Sequence, residues 1–72
     1  MIADVRRRLE RVPFVPFGIR TSEGHEYLVP TVDHAKMSPR DHRVVVFTDE
    51  DATAILGPLH INSIIDSHPN GE

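Results

Sequence analysis

Pro13 divides the sequence into a helical start and a remainder of short alternating runs. Before it, Ile2, Val5, Leu9 and Val12 recur at helical spacing and make one apolar stripe. Arg6, Arg7, Arg8 and Glu10 fall off that stripe. The residue before a proline avoids the helical region, so the spacing predicts a helix over about 3–11. A helix this short is marginal alone, and its stripe must dock on something apolar.

After Pro13 the period changes to that of strands. Val15, Phe17 and Ile19 alternate within 14–21 and share one face, with Pro16 marking an edge or a strand's beginning. Ser22-Glu23-Gly24 is a turn, with Gly24 available for positive φ. A second strand runs over 25–32, bent at Pro30, with pairing resuming through His34 to Met37. Ser38-Pro39-Arg40-Asp41 has the composition of a type I turn. The third strand, Arg43 to Thr48, is β-branched and apolar on both faces, as a central strand is. Asp49-Glu50-Asp51 forms a charged hairpin tip, and 52–56 returns as a fourth strand. Gly57-Pro58 is a sharp break, 61–65 is a fifth strand, and 67–72 is a polar tail. One helix followed by five short antiparallel strands makes a mainly β chain. The expected fold is a small, strongly bent, partly open barrel over about 14–66, with the helix capping one end.

At 72 residues the chain makes one domain whose core is small and whose stability is marginal. It has no cysteine, so no disulfide or thiolate–zinc staple helps it fold. Oligomerisation is the remaining support. Ile55, Leu56, Ile61, Ile64 and Ile65 sit in the last two strands of a chain too short to cover them all. They are the expected oligomer interface, since apolar edge strands need a partner. No apolar run reaches the ~18 residues of a membrane span, and the first twelve residues do not resemble a signal peptide. A cytoplasmic location is the default expectation.

The charge is uneven. Residues 1–20 carry five arginines against two acids, and residues 21–72 carry three cations against nine acids. A basic end on an acidic body is either a local anion-binding patch or a solvated helix face.

The element order resembles the Sm-like family, which includes the bacterial Hfq proteins. Three tracts carry the resemblance. Arg11-Val12-Pro13 resembles the Hfq helix-to-strand junction. The Gly24 turn and the long bent strand reaching Asp33 and Met37 resemble the first Sm motif. Leu59-His60-Ile61-Asn62-Ser63-Ile64 resembles the second, with His60-Ile61 where the eukaryotic motif has Arg-Gly. Pro30 stands near the usual bend glycine, and the Hfq Lys-His pair is matched only by Leu59-His60. Pro13 to Phe17 and Gly24 to Val29 are also similar to short bacterial proteins with a Pro-Phe-x-Pro-Phe tract, a group that implies no activity.

The Sm-like resemblance implies a homo-oligomeric ring in which the fourth strand of one copy pairs with the fifth of the next. It implies single-stranded RNA in inter-subunit pockets lined by Asp33, His60, Asn62 and Ser63, with Arg6, Arg7 and Arg8 holding phosphates. The alternative is a structural or protein-interaction module that keeps the barrel and binds no RNA, favoured by the net charge of −3 and the missing Arg-Gly.

No enzyme class finds its motif. There is no nucleophile elbow and no glycine-rich phosphate loop, and a barrel this small fills its own interior. His25, His34, His42, His60 and His68 are scattered, and the acids beside three of them point to opposite strand faces, so no metal or cofactor is expected. The acidic tip lacks the glycine bend and alternating oxygens of a calcium loop. Phe17 and Phe47 are expected in the core, and Phe14 and Tyr27 are the candidates for exposed stacking.

Overall fold

The computed structural model describes residues 2–40, 42–48 and 52–66. Asp41, the acidic tip 49–51 and the tail 67–72 lie outside the described residues. Helix α1 spans Ile2–Glu10, one residue earlier at each end than the spacing predicted. Val5 is its fully buried residue, with Ile2 and Leu9 packed around the same core. Val12 leaves the stripe: it lies past the helix and is 92% exposed. The helix carries its own i,i+3 and i,i+4 ion pairs, which support so short an element only weakly.

Six strands follow, not five: β1 (Phe17–Thr21), β2 (Glu26–Val29), β3 (Ala35–Met37), β4 (Val44–Phe47), β5 (Thr53–Leu56) and β6 (Ile61–Asp66). The extra strand comes from the expected bend at Pro30. Proline has no N–H for the ladder, and β2 stops at Val29 just before it. A 3-10 turn, Val32–His34, then occupies the break. Thr31 caps it, its hydroxyl accepting the Asp33 N–H at 3.2 Å and meeting His34 Nδ1 at 2.8 Å. One bent strand thereby becomes β2 and β3 in different sheets. β1 likewise begins only at Phe17, directly after Pro16.

The sheets have the orders β2-β1-β6 and β3-β4-β5, all antiparallel. They do not close into a barrel. The β1–β2 turn places Gly24 at φ +91°, a conformation that side chains with a Cβ rarely adopt. Thr21, the one buried polar residue among those described, uses its hydroxyl to accept the His25 N–H at 3.2 Å. A second 3-10 turn, Pro58–His60, joins β5 to β6. It is tied to the β1–β2 turn by the Ser22 N–H, which donates to the His60 carbonyl at 2.8 Å.

Register decides which face of each strand turns inward. Phe17, Ile19 and Thr21 face in from β1, opposite Val29, Tyr27 and Ile61 on its neighbours. Val44 and Val46 face in from β4, opposite Ala35, Ala54 and Leu56. Both sheets and Val5 thus build one shared core. Two expectations fail here. Phe47 is not core: it pairs with Thr53 on the outer face and is 43% exposed. Leu56 and Ile61 are not free for an interface, since each is 7% exposed within the core of its own chain.

Candidate functional site

Four strands, β2 and β6 of one sheet and β3 and β5 of the other, are each paired on one side only among the described strands. β5 is hydrogen-bonded only to β4, and β6 only to β1. The short 57–60 connection joins these two strands. On β5, Ile55 points away from the core and is 62% exposed. Ile64 packs half-buried against the core, and Ile65 is half-buried opposite Gly18. Of the five expected interface residues, Ile55 offers the most surface.

A groove of about 330 Å³ runs beside β5. Thr21, Ser22, Glu23 and Tyr27 line it from the first hairpin, Thr53 to Leu56 from β5, and His60 from the connecting turn. The Gly57 N–H donates to His60 Nδ1 at 3.0 Å, so this imidazole holds its own turn in shape. Tyr27 is half-buried, with its ring centroid 6.5 Å from that of His25. Glu23 is the charged residue of the groove, and no lysine or arginine lines it.

Within one copy the four residues expected around RNA bases do not line a common hollow. His60 lines the β5 groove, and Ser63 lines a second hollow with Asp4, Arg7, Arg8 and Ile64. Asp33 and Asn62 are exposed and line neither. The expected phosphate contacts are compensated by acids. Arg6 pairs with Glu10 at 3.1 Å, and Arg7 with Asp4 at 2.8 Å. Arg8 pairs with Asp66 at the end of β6, while its guanidinium lies 6.0 Å from the Phe17 ring centroid. Three arginines thus face three carboxylates. Exposed pairs of this kind contribute little stability, but they cancel the field that would attract a polyanion.

Sequence reasoning missed a basic hollow at the β3–β4 turn, about 290 Å³, lined by Ser38, Pro39, Arg40, His42 and Arg43. Its signal was present as three basic side chains in four positions, hidden by the acidic total of residues 21–72. A further hollow of about 320 Å³ is lined by Leu28, Pro30, His34, Phe47 and Thr48, where the displaced Phe47 emerges. Among the described residues no group of three or more His, Cys, Asp or Glu gathers to hold a metal ion. No helix among them is long and apolar enough to cross a membrane. No family model, curated protein or solved structure matches the chain.

Proposed function

We propose that this chain is a non-catalytic assembly module of the Sm-like type, in which the β5 edge of one copy receives the β6 edge of the next. One observation carries the reading: β5 and β6 are adjacent in sequence, lie in different sheets, and each is paired on one side only. An open edge presents unpaired N–H and C=O groups, which a second strand satisfies by addition. Ile55 supplies exposed apolar area at the same edge. Two different edges joining head to tail form a heterologous contact, and a set of such contacts closes into a ring when the rotation allows. A marginal 72-residue chain gains stability from that closure.

RNA binding is the second reading. It is favoured by the Tyr27 and His60 rings in the groove beside β5, since bases stack on such side chains. It ranks second because Glu23 is the groove's charge and the helix arginines are matched by acids.

Light scattering on a sizing column, with and without oligo-U at ~50 mM salt, where electrostatic binding is strong, tests both readings. The module elutes as a multiple of the 8.1 kDa chain and does not change with oligo-U. A folded monomer at micromolar concentration refutes assembly. A mass increase on adding oligo-U would return RNA to first place.

A further inference from the structure

We propose that His60 is a proton-operated catch on the β5–β6 turn, which makes the assembly contact sensitive to pH. This rests on the assembly reading and supplies the regulation of that same edge. The turn is closed by two bonds between one pair of residues. The His60 N–H donates to the Gly57 carbonyl at 3.0 Å, and the Gly57 N–H donates to His60 Nδ1, also at 3.0 Å. The second bond is the side-chain half of a capping box, in which a residue three positions on reaches back to the backbone N–H that opens the turn. Glutamate or glutamine ordinarily takes that position. Here an imidazole does, and imidazoles change charge between about pH 5 and pH 8.

The chemistry of the bond fixes its dependence on protonation. A backbone N–H only donates, so Nδ1 offers a lone pair and the neutral ring carries its proton on Nε2. An imidazolium carries a proton on both nitrogens and accepts nothing. The bond is therefore present at high pH and is lost as pH falls and the ring becomes charged. His60 is exposed, so the proton arrives from solvent without any opening of the core. Both bonded residues sit at strand ends. Gly57 directly follows Leu56, the end of β5, and His60 directly precedes Ile61, the start of β6. The His60 carbonyl also accepts the Ser22 N–H at 2.8 Å, which ties the turn to the first hairpin. The ring lines the groove along β5 together with Ile55, so the new charge appears beside the edge that receives the next copy. From the first hairpin, Glu23 and Tyr27 are the titratable residues lining this groove, and the His25 ring centroid lies 6.5 Å from that of Tyr27. The β5 residues in the lining, Thr53 to Leu56, do not titrate. Glu23 attracts the imidazolium while the Gly57 bond holds the neutral ring, so the two act on the catch in opposite directions.

The test follows the full chain from about pH 8 to about pH 5, the range in which imidazoles charge. NMR reads the Gly57 amide and the His60 ring nitrogens, and light scattering over a dilution series reads the mass of the same samples. At the higher pH the His60 ring is expected in its Nε2–H form and the chain at its assembled mass. As pH falls, the Gly57 amide should move in step with the charging of His60. Association should weaken by about fivefold per contact, the equivalent of one hydrogen bond. His60→Gln keeps an uncharged acceptor at the capping position and should hold its mass across the range. His60→Ala removes the acceptor and should associate weakly at both ends of it. His25→Asn should respond to pH as the wild type does. A Gly57 amide that ignores the charging of His60 overturns the proposal. So does an assembled mass that stays constant while the ring charges, or a pH response that His60→Gln keeps and His25→Asn abolishes. In each of those outcomes the wild-type mass at the higher pH still exceeds that of one chain. Failure of the assembly reading shows instead as a monomer at every pH, which removes the regulation with it, so the two failures are distinguishable.

Discussion

Val5→Ala tests whether α1 is part of the core or an arm laid on it. Val5 is 0% exposed and sits among residues from both sheets. The substitution removes two methyl groups, or about 1.6 kcal/mol of transfer free energy at ~0.8 kcal/mol per buried carbon. The space left behind adds about 1 kcal/mol, because packed surroundings relax only in part. Alanine is the better helix former and returns about 0.5 kcal/mol. The net cost is about 2 kcal/mol. In a domain this small, 1 kcal/mol moves Tm by roughly 4–8 °C, so a fall of roughly 8–16 °C follows. Circular dichroism melts at one fixed protomer concentration measure it, since assembly makes Tm depend on concentration. Val12→Ala is the control, because Val12 is 92% exposed and should leave Tm unchanged. If Val5→Ala melts with the wild type, the docked helix is wrong, and so is the shared core built upon it.

The remaining predictions address the edge, the two turns and the helix's second anchor. Ile55→Asp should reduce the mass measured by light scattering while keeping the fold, because Ile55 is largely exposed; Ile64→Asp should unfold the chain as well, since Ile64 packs on the core. A folded Ile55→Asp variant with wild-type mass would remove β5 from the interface. Gly24→Ala should cost about 1 kcal/mol, for a residue forced to φ +91° with open space around it, and lower the urea midpoint accordingly; an unchanged midpoint would contradict the turn geometry. Ser38→Ala removes the acceptor of two N–H groups and should cost about 1 kcal/mol, with faster hydrogen exchange at His42 and Arg43. Unaltered exchange at those amides would mean that the hydroxyl does not hold the turn. Leu9→Ala should cost less than the ~2–5 kcal/mol of a fully buried leucine, because Leu9 is only half-buried; a larger loss in the same melts would reverse the ranking of the two anchors.

Local chemistry was legible in the sequence wherever neighbouring residues alone decide the conformation. Pro13 ended α1's pattern, Pro16 preceded a strand, Gly24 turned a hairpin, and Val44 to Phe47 read as a central strand. Two of the helix ion pairs could be taken from their i,i+3 and i,i+4 spacing. Tertiary structure decided what sequence distance hides. A run that is apolar on both faces does not say which face turns inward; only the register against β3 and β5 put Val44 and Val46 in the core and left Phe47 outside. Leu56 and Ile61 have the same apolar character as Ile55, and only their placement toward the shared core separates them from an interface. Arg8 meets Asp66 only because β6 returns to α1 across nearly the whole chain. Summed charge located the basic surface on the helix, while folding matched those arginines with acids and gathered Arg40, His42 and Arg43 around one serine. Charge acts through distance in space, and a one-dimensional sum does not contain that distance.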